Sequence, residues 1–224
     1  LPKLGLIEAG GTKDNNVIWR GVESHNFSPF LDTNPEGKPE ERYKALGGVK
    51  QPGKNWHQGE TPGGLYAFAS ADGIHWKKMK DEPVITKGAF DSQNLAFYDT
   101  TRDRYVCFSR IFINKVRAVQ SNTSADFLGW TEPVPHVYAE GVPWEHFYTS
   151  ATVPCPTAPH LFLSFPKRFV TDRKKVPEHE GRAGMAAVVM QPGHSFDPKT
   201  FYDLTEARVP RYAAPQFVRV SSAA

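Results

Sequence analysis

Ser70-Ala-Asp72-Gly-Ile-His-Trp76 and Ser124-Ala-Asp126-Phe-Leu-Gly-Trp130 decide the reading of this chain. They repeat at an offset of 54 residues, with Ser, Asp and Trp at matching places. Each follows a strand-like run and precedes a polar stretch containing proline. Ser and Asp side chains bond to nearby backbone and close tight turns, and a Trp can then pack beneath adjoining strands. Fifteen residues beyond Trp76 stands Asp91, and fifteen beyond Trp130 stands Glu145. Asp32 sits in a comparable slot, after Trp19 and before a strand-like run at Tyr43.

The rest of the chain agrees with a β-rich reading. Short runs that alternate apolar and polar, or are apolar and bounded by Gly, Pro, Asn or Asp, predict strands. They are 17–19, 43–46, 64–70, 95–98, 104–109, 116–120 and 160–165. Long amphipathic helix patterns are scarce. Gly and Pro number 18 and 19 of 224 residues, punctuation that suits many turns. A unit of about 50 residues carries about four strands, the size of one propeller blade. The expected fold is therefore all-β, a five-bladed β-propeller over 1–224. The repeat is clear over about 15–170, and 181–224 is expected to be divergent or incomplete. A β-sandwich with repeated turns is the rival architecture. In a propeller, equivalent positions of successive blades converge on the channel mouth, so Asp32, Asp91 and Glu145 are expected to meet.

Composition excludes several classes. Hydrophobic residues make up 39% and charged residues 23%, a globular balance. Net charge is +3, and apart from Arg173-Lys174-Lys175 the basic residues are scattered, so no nucleic-acid stripe is expected. No apolar run approaches the roughly 20 residues of a spanning helix, and no membrane partner is expected. No charged segment followed by an apolar core is legible near the start, and the compartment stays open. Cys107 and Cys155 form no CxxC pair and are expected to be unbonded. The eight histidines contain no His-x-x-x-His pair, and no Gly-x-Ser-x-Gly or Walker motif occurs. No metal and no cofactor are expected. Asn122-Thr-Ser124 is a glycosylation sequon, a pattern common by chance.

Two carboxyl groups across a scissile bond are the usual equipment for glycoside hydrolysis. Asp32, Asp91 and Glu145 are the candidates. Asp32 and Asp91 also suit turn capping, and Glu145 suits pairing with His146 or an arginine. Aromatic residues around Glu145 are of the kind that raise a carboxyl pKa, as a general acid needs. Arg110 and Arg168 follow equivalent strands and can hold a carboxylate, a hydroxyl or an acidic substituent. His25, Asn26, Gln93, Asn94 and His146 are candidate hydroxyl binders, and Trp144, Phe147 and Tyr148 candidate stacking rings. Each of these also has an ordinary packing role.

The segments 25–35, 43–48, 69–76, 89–94 and 145–148 together resemble the five-bladed propeller glycoside hydrolases of families 32, 43, 62, 68 and 117, particularly bacterial members. The resemblance implies a first-blade Asp as base or nucleophile, a second Asp that orients substrate or tunes the acid, and a Glu acid in the third blade. By position these are Asp32, Asp91 and Glu145. The Asn-Asp-Pro, Arg-Asp-Pro and Glu-Cys neighbourhoods of that group are absent, and in some related families a His is the acid, so His146 and His25 stand as alternatives. The implied partner is a plant or algal oligo- or polysaccharide. The sugar, the stereochemical outcome and the oligomeric state stay open. A non-catalytic carbohydrate-binding propeller and a protein-interaction propeller are the competing readings.

Overall fold

In the computed structural model, residues 3–49, 63–136 and 146–169 are described. The stretch 181–224, expected to diverge from the repeat, lies outside them. Among the described residues the chain is all-β and its sheets are antiparallel. Helix is limited to two single 3-10 turns, Val22–Ser24 and Pro39–Glu41.

The first sheet is a meander of four strands: β1 (Ser28–Leu31), β2 (Tyr43–Gly47), β3 (Tyr66–Ser70) and β4 (Lys77–Lys78), in that order. Pro29 lies in β1, at the edge of this sheet, where its missing N–H costs no ladder bond. The second sheet repeats the plan with β5 (Leu95–Asp99), β6 (Arg104–Ile113), β7 (Val116–Ser124) and β8 (Val134–Pro135). A third group pairs β9 (His146–Thr149) with β12 (Lys167–Phe169), and β10 (Thr152–Cys155) with β11 (Ala158–Ser164).

The repeated motif joins the third and fourth strands in both meanders, and its chemistry is reproduced atom for atom. Ser70 Oγ accepts from Gly73 N at 2.9 Å, and Ser124 Oγ accepts from Phe127 N at 2.9 Å. Asp72 Oδ1 accepts from Ile74 N and His75 N, both at 2.8 Å. Asp126 Oδ1 accepts from Leu128 N at 2.9 Å and Gly129 N at 2.7 Å. Each Trp indole donates back into the turn, Trp76 to Gly73 O at 2.9 Å and Trp130 to Phe127 O at 3.0 Å. The third turn residue is left-handed in both, Gly73 at φ 76° and Phe127 at φ 69°. Glycine takes that conformation freely; Phe127 bears a local cost that its full burial against Phe30, Tyr105 and Trp130 offsets.

The second sheet is buried on both faces. Ala96, Tyr98, Tyr105 and Cys107 join Leu46, Leu65, Ala67, Phe90 and Phe127 in one core, towards the first sheet. Val106, Phe108 and Val119 face the other way and pack with Phe97, Phe147 and Phe162, towards the third group. This follows from strand alternation, which sends neighbouring residues of β5 and β6 to opposite faces. Both cysteines are free, Cys107 deep in the first core. Asn122 of the sequon is buried and donates to Thr131 O at 2.7 Å, so the folded chain does not present it.

The strand expected at 17–19 is absent. Among the described residues no strand pairs with that segment; Asn15 Oδ1 accepts from Val17 N, and the Trp19 ring meets Phe68 edge-on at 4.9 Å. Its apolar residues serve as a cover for the outer face of the first sheet rather than as a strand.

Asp126→Ala removes an acceptor used by two backbone N–H groups, and a thermal or urea melt should show a loss of about 1 kcal/mol, largely spared in Asp126→Asn. His136 is buried against Phe108, and that burial holds its imidazole down to about 4 from an ordinary 6.5. The unfolded chain therefore binds the extra proton first, and stability contributed by the neutral ring is lost as pH falls from 6.5 towards 4. His136→Leu should flatten the stability profile in that window, measured by urea midpoints at stepped pH.

Candidate functional site

Residues 88–94, which lead into β5, meet all three strand groups. Phe90 is fully buried in the first core. Its carbonyl accepts from Asn26 Nδ2 at 3.2 Å, on the segment entering β1, and from Asn94 Nδ2 at 3.0 Å. Asn94, itself fully buried, also donates to Ser92 O at 2.8 Å. Ala89 N donates to Arg110 O at 2.8 Å, tying the loop to β6. Ser92 Oγ donates to Tyr148 O at 2.5 Å, and Gln93 Oε1 accepts from Ala151 N at 3.2 Å, tying it to β9 and the residue before β10. Asn26 adopts φ 51°, a left-handed conformation that Asn tolerates, and this turns its amide towards Phe90.

Between these anchors Asp91 projects its carboxylate, about a quarter exposed, onto Arg110 Nη2. Arg110 is itself buried, 4% exposed. Its guanidinium lies 4.9 Å from the Tyr148 ring centre and 5.4 Å from that of Phe112. Arg117 stands beside it, 5.4 Å from Phe112, 5.8 Å from Tyr148 and 4.5 Å from Phe169. His146 Nδ1 accepts from the Arg117 backbone N–H at 3.2 Å and lies 3.3 Å from Arg117 Nη1. Burial, then the charge of Arg117, pushes the His146 imidazole below its ordinary value. With Nδ1 accepting, the neutral ring carries its proton on Nε2. Burial and the neighbouring Arg110 charge also lower Arg117, opposed by Tyr148 and Asp91.

Asp32 lies elsewhere. Its side chain is 3% exposed and is bonded by Lys44 Nζ at 2.6 Å, by the Tyr105 hydroxyl at 2.7 Å and by Asn34 N at 3.0 Å. Tyr105 belongs to the face of β6 turned towards the first sheet, whereas Arg110 shares parity with Val106 and Phe108 on the opposite face. Five residues separate them, about 17 Å of strand. The reason is positional. Asp91 precedes β5 and Glu145 immediately precedes β9, but Asp32 immediately follows β1. The position of the first sheet equivalent to Asp91, four residues before its first strand, is thus Ser24. Asp32 and Asp91 are built into different interfaces, and the expected three-carboxylate meeting is not the arrangement of these two.

Of the other expected residues, Asn26, Gln93, Asn94, Arg110, His146 and Tyr148 surround the Asp91 loop as described. His25 is exposed beside Asn26, and its carbonyl accepts from Gly48 N at 3.0 Å. The backbone of Arg168 pairs with Phe147. Trp144 and Glu145 lie outside the described residues. Among those residues no group of three His, Cys, Asp or Glu side chains is placed to hold a metal, and no helix is long and apolar enough to cross a membrane.

Arg117 and Phe112 were missed by sequence reasoning. A signal existed. Asn114 and Lys115, at φ 49° and 68°, form a two-residue turn of the type that favours Asn at its first position. That turn sets Phe112 opposite Arg117 and Arg110 opposite Val119. One face of the hairpin therefore changes from Val106 and Phe108 at its base, through Arg110 opposite Val119, to Phe112 and Arg117 at its tip.

No protein-family model matches the chain. A 45-residue stretch, 20% of the chain, is 49% identical to the human long-chain fatty acid transport protein 3, covering 7% of that protein. A 48-residue stretch is 46% identical to human long-chain fatty acid transport protein 5, covering 21% of this chain and 7% of that protein. The mouse long-chain fatty acid transport protein 6 shares 39% over 46 residues, 20% of this chain and 7% of that protein. The chain thus spans less than a tenth of the length of these curated relatives. In structure it is similar to an N-acetylgalactosamine deacetylase from F. plautii crystallised with blood group B trisaccharide. The TM-score is 0.43 and the identity 16%, over 59% of this chain and 43% of that one. A likeness of that size carries no argument about activity.

Asp32→Asn should remove the buried counter-charge of Lys44, leaving it only Glu41 at 3.5 Å, and cost about 3 kcal/mol in a chemical melt. Wild-type stability in this variant would show that the buried pair carries no structural weight.

Proposed function

We propose that this chain is a carbohydrate-active β-propeller, with the Asp91 loop at its channel mouth, and that it hydrolyses glycosidic bonds of a plant or algal oligo- or polysaccharide. The observation that carries this reading is the convergence of three successive strand groups on residues 88–94, with one carboxylate set among arginines and aromatic rings. Two consecutive four-stranded meanders with the same strand order and the same turn motif support the blade assignment. The aromatic faces of Tyr148, Phe112 and Phe169 suit a sugar ring, and the amide and hydroxyl groups around Phe90 suit an alignment of fixed donors.

In this reading Asp91 and Glu145 are the carboxyl pair. Asp91 has one oxygen on Arg110 and serves as base or nucleophile. Glu145, immediately before β9, serves as the acid that protonates the leaving oxygen, with His146 as the alternative donor through its Nε2–H. The Arg110 contact orients the Asp91 carboxylate, and the Ser92, Gln93 and Asn94 bonds hold the backbone that carries it.

A second reading is a sugar-binding propeller without catalysis. It is favoured by one observation: Asp91 is the only carboxylate among the described residues bonded within this cluster. Turnover on a glycan panel separates the two. Asp91→Asn and Glu145→Gln should each lower kcat by at least about a hundredfold while the melting temperature holds. Wild-type turnover in both variants would reject the catalytic assignment; binding with no turnover in the wild type would establish the second reading.

A further inference from the structure

Among the described residues the charges around Asp91 do not balance. Arg110 and Arg117 supply two guanidinium groups, His146 is held towards its neutral form, and Asp91 is the one described carboxylate bonded among them. Arg110 is 4% exposed, yet among the described residues its Nε and Nη1 have no hydrogen-bond partner. Arg117 Nε is likewise buried and has no partner among the described residues. Buried polar groups are nearly always satisfied, and buried guanidinium N–H groups left open are costly, so such a pair is the mark of a missing acceptor. Phe112 lies beside both arginines at 5.4 Å, and the Tyr148 ring is shared between them. These rings hold the two like charges side by side instead of letting them separate into solvent. A planar or tetrahedral oxyanion fits the guanidinium fork, while hydroxyls alone leave the charge uncompensated.

We infer that the Arg110–Arg117 pair recognises an acidic substituent of the glycan, the carboxylate of a uronic acid or a sulfate ester, with the sugar ring against the adjoining aromatic faces. This rests on the carbohydrate reading above and narrows it to acidic glycans. The anion takes one open edge of Arg110, at its Nε–H or its Nη1–H, together with the Nε–H of Arg117. Asp91 keeps its own bond to Arg110 Nη2 and is left to face the neighbouring linkage.

Calorimetric titration tests this with four ligands: a glucuronate-containing disaccharide, a sulfated disaccharide, their neutral counterpart, and sodium sulfate alone. At least one acidic disaccharide should bind about tenfold or more tightly than the neutral one, and added salt should narrow the gap. The comparison of uronate with sulfate identifies the source of the anion. Arg117→Gln should erase the preference for acidic over neutral sugar, and Arg117→Lys should restore part of it. A thermal melt of each variant separates loss of the fork from loss of the fold. Neutral and acidic sugars binding equally would overturn the charge inference and leave the carbohydrate reading standing. Sodium sulfate binding as tightly as the sulfated sugar would also overturn it, since the ring would then contribute nothing. Binding of none of the sugars would overturn both.

Discussion

The Phe90 carbonyl is the point on which the described structure turns. It is a buried acceptor, and a buried carbonyl must find donors. Asn26 and Asn94 provide them, one from the first sheet and one from the loop's own far end. With the Phe90 ring locked in the first core, the peptide cannot rotate, and the next residue, Asp91, is aimed away from that core. The Ser92 and Gln93 bonds then reach the third strand group. One short loop therefore fixes the relation of three groups and the direction of one carboxylate.

The two faces of the second sheet divide the labour. Towards the first sheet, Tyr105, Cys107 and Phe127 build a core whose rim is closed by the Asp32–Lys44 pair and the Tyr105 hydroxyl. Here the charges are matched and the hydrogen bonds are short, which is the pattern of a structural buried pair. Towards the third group, the apolar stripe of Val106, Phe108 and Val119 gives way to Arg110, Phe112 and Arg117. Here donors outnumber acceptors. The two aspartates thus sit at opposite ends and on opposite faces of one sheet, Asp32 in a fully paired cluster and Asp91 on an arginine whose Nε and Nη1 have no partner among the described residues.

Much of the fold was legible in the residues. The Ser-x-Asp…Trp turns carry their own hydrogen-bond donors and acceptors within seven residues, so they form wherever that order occurs, and both stand between third and fourth strands as local chemistry requires. Val17–Trp19 misled because an apolar triplet is the same whether it is a strand or a lid over one. The site was half legible. Asp91, Asn94 and Arg110 sit next to recognisable strands, but Arg117 looked like an ordinary polar residue of an alternating run until the Asn114–Lys115 turn set its register.

Asp32 shows where sequence reading stops. Its spacing from a Trp placed it with Asp91, yet spacing along a chain does not say on which side of a strand a residue falls. By itself the sequence determined what is local: all-β character, the repeated turn, and the loop that bears Asp91. Only the tertiary structure decided that Asp32 closes one interface while Asp91 and two arginines open onto another. The reason is that strand ends and sheet faces are defined by pairing partners far away in the chain. Tyr105, 73 residues from Asp32, and Tyr148, against the Arg110 that holds Asp91, are such partners.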